Sequence, residues 1–208
     1  MSVQTEQENF WMGQFGNEYI DRNRVGVGSN LSFFSRILSR TANIRSVIEL
    51  GSNIGLNLIA INQLLPKARL AAVEINHQAI LELKKHPFIS DIYHESILNF
   101  HPQNIYELAF TKGVLIHLNP DNLSTAYEVL YQSSSKYVLI AEYYNPKPVE
   151  VVYRGHKGKL FKRDFAGEFL DKYSDCQLID YGFVYHRDPM FPLDDLTWFL
   201  LTKNNEGV

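Results

Sequence analysis

Ser46-Val-Ile-Glu-Leu-Gly-Ser-Asn-Ile-Gly-Leu-Asn57 decides the fold of this chain. A short apolar strand runs into a glycine turn, and the turn opens a helix over residues 56–65 that Pro66 ends. Gly51 permits a sharp turn and close approach of a ligand to the backbone. The helix N-terminus offers free amide N–H groups and a partial positive charge. The rhythm continues outward. Residues 69–73 read as strand, 76–85 as helix, 92–96 as strand, and 108–110 begin a fourth strand. A helix follows over 121–135, with Asp121 near its N-terminus, and then a fifth strand over 137–141. Such alternation predicts a largely parallel sheet covered on both faces. The last two strands, 178–185 and 196–202, have little between them and are expected to pair as an antiparallel hairpin. Upstream, residues 5–22 read as helix, with Thr5 and Glu8 at capping-box spacing and Gly13 and Gly16 as interruptions. Residues 29–40 form an amphipathic helix with Leu31, Phe34, Ile37 and Leu38 inward. Residues 142–177 are an insertion after the fifth strand, helical over about 163–173 and otherwise irregular.

The chain has 208 residues, a size that suits one domain. Its hydrophobic fraction of 45% supports a packed core and excludes bulk disorder. A formal net charge of −3 argues against a general binder of nucleic acid or of membrane surfaces. Cys176 is the single cysteine, so an internal disulfide and a cysteine-based zinc site are excluded, and no metal site is expected. The polar, acidic N-terminus lacks the pattern of a signal peptide, and no run approaches the roughly 20 apolar residues of a membrane span. A soluble cytoplasmic protein is the expectation. Tyrosine is unusually frequent, with 12 Tyr beside 13 Phe, and each needs water or a partner for its hydroxyl.

Two cofactor classes use a strand, glycine turn and helix of this kind. A dinucleotide fold expects G-x-G-x-x-G, and here those positions are Gly51, Asn53 and Leu56. The run resembles more closely the E/D-x-G-x-G-x-G motif of class I S-adenosylmethionine-dependent methyltransferases, at Glu49, Gly51 and Gly55. Asn53 replaces the middle glycine, and Asn tolerates a left-handed backbone better than most residues. Glu49 suits the ammonium of that cofactor and would repel a pyrophosphate. Glu74, at the end of the second strand, suits a pair of ribose hydroxyls. The resemblance implies a class I Rossmann-like α/β fold in one domain, 1–208. Its parts are a mostly parallel seven-stranded sheet, a C-terminal antiparallel hairpin, a helical lid over 1–28 and the insertion over 142–177. It also implies cofactor contacts from Asn57, Ile75, Ser96, Ile97, Thr111 and Lys112. Ser96 either hydrogen-bonds the adenine or caps a turn. His117 falls one turn beyond the fourth strand, near the transferable methyl, either as a general base or as a structural histidine.

Longer strings extend the likeness. Residues 8–23, Glu8-Asn-Phe-Trp-Met-Gly-Gln-Phe-Gly-Asn-Glu-Tyr-Ile-Asp-Arg-Asn23, resemble the opening of the bacterial pseudaminic acid biosynthesis-associated methylases. So do Phe110-Thr-Lys-Gly-Val-Leu-Ile-His117, Ile140-Ala-Glu-Tyr-Tyr-Asn-Pro146, Tyr153-Arg-Gly-His156, Leu160-Phe-Lys-Arg-Asp-Phe-Ala-Gly167 and Tyr181-Gly-Phe-Val-Tyr-His-Arg-Asp188. By this resemblance the N-terminal helix covers the cofactor. Trp11 and Tyr19 then pack near the sulfonium, and Arg22 pairs with the carboxylate of the methionine end, unless Trp11, like Phe10 and Phe15, pins the helix to the core.

The insertion concentrates Tyr143, Tyr144, Tyr153, Arg154, His156 and Arg163, and the hairpin adds Tyr185, His186 and Arg187. Converging at the carboxyl edge of the sheet, these groups would hold an anionic, sugar-like acceptor. Lys157 and Lys159 read as solvated lysines. For an acceptor hydroxyl the candidate bases are His117, Tyr144, His156 and His186. The leading expectation is methyl transfer from S-adenosylmethionine to an oxygen or nitrogen of a small polar acceptor. A nonulosonic-acid sugar or its nucleotide-activated form fits that description. The alternatives are a non-catalytic S-adenosylmethionine-binding subunit of a glycan pathway and a dinucleotide oxidoreductase.

Overall fold

A computed structural model describes residues 4–22 and 26–204. The expected lid over 1–28 therefore includes residues 1–3 and 23–25, which lie outside the described residues, as does Asn23 at the end of the first resembling string. The lid begins as α1, Glu6–Met12, and α2, Gln14–Arg22. Thr5 and Glu8 form the reciprocal capping box. The break falls at Gly13 alone, and Gly16 lies inside α2. Gly16 is there because α1 folds back against it. A Cβ at Gly16 would stand 1.9 Å from the Trp11 carbonyl oxygen and 2.9 Å from Asn76 Nδ2. Gly16→Ala is therefore expected to lift α1 from its seat. Trp11 emission should shift to the red while fully buried Trp198 and the sheet remain native; unchanged emission would argue against this docking.

The helix α3, Gly28–Leu38, precedes the sheet. Then come β1, Ser46–Leu50; α4, Leu56–Leu64; β2, Arg69–Glu74; α5, His77–Leu83; and β3, Ile89–His94. Next are β4, Tyr106–Lys112; α6, Leu123–Ser133; and β5, Ser134–Glu142. The insertion holds a small antiparallel pair, β6, Val149–Glu150, with β7, Phe161–Lys162, where the sequence reads as irregular. The helix α7, Phe165–Lys172, leads to β8, Cys176–Phe183, and β9, Thr197–Lys203. The strand β3 starts three residues earlier than its apolar run suggests. As an edge strand it carries exposed Ser90 within it, which hides its period.

The seven strands lie in the order β3-β2-β1-β4-β5-β9-β8. All neighbours are parallel except β9, which runs antiparallel to both β5 and β8. Alternate residues of each strand serve opposite faces. Ile48, Leu50, Val73, Ala109 and Val138 pack with Leu130, Phe165 and Phe169 of α6 and α7. Val47, Leu70, Ala72, Leu108 and Leu139 pack with Phe34, Ile37, Leu58, Ile61 and Leu83 of α3, α4 and α5. Strand order reverses between β1 and β4, so a crevice opens beyond their carboxyl ends, where α/β sheets bind ligands. Among the described residues, no helix is long and apolar enough to cross a membrane.

Candidate active site

A cavity of about 880 Å³ occupies this crevice, within the usual size range for small-molecule sites. Its floor is the turn after β1. Gly51 sits at φ +82° and Asn53 at φ +45°, so the Asn in place of a glycine adopts the left-handed backbone its side chain tolerates. A Cβ on Gly51 would fall 2.7 Å from Val114 Cγ2. The turn is tied mainly to β2 through its amides. Gly51 and Ser52 donate to the Val73 carbonyl, Gly55 to the Ser52 carbonyl, and Asn53 to Glu74 Oε2 at 2.7 Å. No nest of amide N–H groups is left at these positions for a pyrophosphate.

Glu74 faces the cavity from the end of β2. Its other oxygen accepts the Asn76 N–H at 2.7 Å, so both carboxylate oxygens are fixed. Burial raises the Glu74 pKa, and the N–H groups of Asn76 and Asn53 oppose the shift. Asn76 Nδ2 donates to the Trp11 carbonyl at 3.0 Å and to Asn17 Oδ1 at 2.9 Å. One residue thus joins the acid to both lid helices.

Gln7, Glu8, Trp11, Tyr19 and Arg22 form the roof, and Asn53, Asn57, Ile75, Ser96, Ile97 and Lys112 stand in the walls. Ser96 meets both of its expected alternatives in part. Its Oγ accepts the Leu98 N–H as a turn cap and donates to Glu8 Oε1 of the lid. Three expected cofactor residues stand behind the wall. Gly55 is the left-handed start of α4, with its missing Cβ against Leu83, and Thr111 is wholly buried. Glu49 is also wholly buried, accepting from Asn57 Nδ2 at 2.6 Å. Burial pushes Glu49 up to about 8, opposed by the Asn57 hydrogen bond and the charge of Lys112. Burial lowers the Lys112 pKa, with Glu49 opposing.

His117 lies in a short 3-10 turn, Leu115–His117, and is 8% exposed. Its Nδ1 is 2.6 Å from the Lys159 carbonyl oxygen. A carbonyl only accepts, so Nδ1 carries the proton and Nε2 the lone pair. Burial lowers the pKa to about 4, so the ring is neutral at pH 7. Trp11 and Tyr153 enclose it, with ring centroids at 4.6 and 4.9 Å. Glu142, at the end of β5, holds this turn. Its two oxygens accept the N–H groups of Val114, Leu115 and Ile116 at 3.0 to 3.4 Å. The sequence reading passed over Glu142. The signal was an acid closing the apolar run Val138-Leu-Ile-Ala141, a position that demands a partner.

Of the expected acceptor residues, Tyr143, Tyr153, Arg154 and His186 reach the cavity. The others do not. Tyr144 points away from its neighbour Tyr143 and packs on Phe199 at 6.1 Å. Arg163 pairs with Glu168 of α7, which also accepts from the Tyr127 hydroxyl. His156 is exposed and meets Phe10 and Phe15 of the lid edge to face. Tyr185 and Arg187 are exposed where the chain turns after β8, outside the cavity wall. The missing side is supplied by Met190, Phe191, Pro192, Leu193 and Asp194 of the β8–β9 loop, and by Gly28, Ser29 and Asn30 of α3. His186 Nδ1 pairs with Asp195 at 2.9 Å.

No family model and no curated protein matches the chain. Solved structures do. The plantazolicin methyltransferase in complex with S-adenosylhomocysteine is 15% identical, over 95% of this chain and 94% of that one, with a TM-score of 0.65. The 1,6-didemethyltoxoflavin-N1-methyltransferase of Burkholderia thailandensis is 12% identical, over 98% and 92%, at 0.67. A sugar N-methyltransferase from a Streptoalloteichus species is 11% identical, over 98% and 96%, at 0.67. The fold is the class I methyltransferase fold. The parallel sheet with its antiparallel C-terminal pair is the arrangement those proteins share with this chain.

The residues present fit the cofactor of that fold. Trp11 Nε1, Asn53 Nδ2, Asn57 Oδ1, Gln7 Oε1 and Asn30 Oδ1 are buried without a protein partner, and all belong to residues lining this cavity. Buried polar atoms require partners. A nucleoside joined to an amino acid offers both donors and acceptors to such a set.

Proposed function

We propose that the protein is an S-adenosylmethionine-dependent methyltransferase acting on a small polar, anionic acceptor. The observation that carries this reading is Glu74, its carboxylate fixed by two amides beside a turn whose Gly51, Ser52 and Asn53 amides are already bonded to β2. That arrangement suits two ribose hydroxyls and disfavours a dinucleotide. When bound, the cofactor supplies an electrophilic methyl for in-line transfer to an acceptor oxygen or nitrogen. Trp11 and Tyr19 close over it, Arg22 meets its carboxylate, and Ile75 and Ile97 flank the adenine. Asn57 donates to Glu49 behind the wall, and its own unpartnered Oδ1 is left to accept from the ammonium.

The acceptor enters between Tyr143, Tyr153, Arg154, His186 and the β8–β9 loop. Arg154 and Lys112 favour a carboxylate or phosphate there, and the tyrosines favour a sugar or flat ring. His117 Nε2 takes the proton released by the acceptor. The resemblance to the pseudaminic acid biosynthesis-associated methylases supports a nonulosonic-acid sugar or its nucleotide-activated form. The sugar, plantazolicin and 1,6-didemethyltoxoflavin methyltransferases of the same fold are in keeping with a small-molecule acceptor. The reading treats residues 1–208 as one domain and places the enzyme in the cytoplasm, without nucleic-acid or membrane partners.

Calorimetric titration should show binding of S-adenosylmethionine and none of a nicotinamide dinucleotide. Labelled methyl should then pass to a member of a nonulosonic-acid panel. His117→Ala should slow turnover by about a hundredfold while cofactor affinity stays unchanged. Cofactor binding without transfer to any acceptor would favour the non-catalytic subunit, and tight dinucleotide binding alone would overturn both.

A further inference from the structure

Lys159 is not the solvated lysine its neighbours suggest. It is 5% exposed, in the bend that precedes β7. Its Nζ pairs with Glu6 Oε1 of α1 and stands 5.4 Å from the centroid of the Phe10 ring, also of α1. The preceding carbonyl, that of Gly158, accepts from Gln7 Nε2 of α1 at 2.9 Å. From the other side, Gly158 N–H donates to Glu150 Oε1 at 2.6 Å, and the Leu160 carbonyl accepts the Val151 N–H at 2.9 Å. The stretch 158–160 is therefore gripped by the lid on one flank and by the β6 segment on the other. The Lys159 carbonyl, within that grip, is the group that receives His117 Nδ1.

We propose that Lys159 is a positioning residue that couples docking of the α1 lid to the tautomer and orientation of His117. With α1 seated, the side chains of Glu6 and Gln7 fix the Lys159 carbonyl, and the carbonyl holds the proton on Nδ1. The lone pair of Nε2 then remains available in the cavity. With α1 unseated, the 158–160 stretch loses three contacts, and His117 exchanges its proton between the two nitrogens. The site therefore gains its proton acceptor only when the roof is closed. The inference rests on the methyltransferase reading for the role of His117, and its structural content does not.

The test uses the full chain with 15N-labelled histidine. In the wild type, His117 should show one protonated and one lone-pair nitrogen, with Nδ1 protonated. Lys159→Met and the gentler Glu6→Gln, at an exposed position, should both move the two nitrogen shifts toward each other. Lys159→Arg should restore the wild-type pattern, and Lys157→Met, at an exposed neighbour, should leave it intact. In turnover, Lys159→Met should lower kcat by about tenfold or more, with acceptor KM little changed, and Lys159→Arg should recover most of it. An unaltered His117 signature in both Lys159→Met and Glu6→Gln would overturn the coupling. So would an altered signature with kcat unchanged. Failure of every acceptor to be methylated would sink the methyltransferase reading while the nitrogen shifts still decide the coupling.

Discussion

Glu74→Ala is expected to weaken S-adenosylmethionine binding by at least about a hundredfold, two charge-assisted hydrogen bonds at roughly 1.5–3 kcal/mol each. The loss is direct, because the carboxylate faces the cavity, and indirect, because its oxygens also fix the Asn53 and Asn76 amides. Asn76 in turn carries the lid through Trp11 and Asn17. Glu74→Gln should be intermediate, since it keeps one acceptor and turns an NH2 donor toward the backbone N–H whose acceptor oxygen it replaces. Calorimetry checks both. Near-native affinity in the alanine variant would remove the central support for the proposed cofactor.

The second large effect is at Glu142. Glu142→Leu leaves the N–H groups of Val114, Leu115 and Ile116 without their acceptor in a buried place. At about 1–3 kcal/mol for each unmet group, the fold should lose roughly 3 kcal/mol or more. Glu142→Gln separates charge from packing through pH. Burial pushes Glu142 up to about 7 and Glu49 up to about 8. Both folded values lie above the roughly 4.3 of an exposed glutamate. The folded state therefore binds these two protons more tightly than the unfolded chain does. Their stabilising contribution is fully present below about pH 4.3 and is lost as pH rises through 7 and 8. Denaturant titration should show stability falling from pH 5 to 8.5, with a shallower fall in Glu142→Gln and in Glu49→Gln. A wild-type slope in both variants would show that these acids are not buried in the way described.

Much of this was legible in local pattern. The run from Ser46 to Asn57 carries strand period, left-handed turn and helix start within twelve residues, so sequence spacing alone specifies it. Glu74 follows from the end of the next strand. The acceptor side was legible only in part, because it is assembled from distant segments. Adjacent Tyr143 and Tyr144 look alike in sequence, yet extended backbone sends one into the cavity and the other onto Phe199. Lys159 sits in the polar run His156-Lys-Gly-Lys159 and is buried by a helix 153 residues away. The apolar rim at Met190 and Phe191 has no periodic signal, since it is a loop placed by the pairing of β8 with β9.

The two ends of the cavity are not equally open. The lid helices cover one end, held by Asn76 and Ser96, whereas the β8–β9 loop and Arg154 rim the other end. On the proposed reading, a molecule seated beneath the lid leaves when α1 lifts, while one at the rim comes and goes past side chains. Turnover on the proposed reading is therefore ordered. The methyl donor enters first, the modified acceptor departs before the spent donor, and the spent donor acts as a strong product inhibitor competitive with fresh donor. The lid thereby makes the rate of a cycle depend on how quickly exhausted donor is cleared from the surrounding solution.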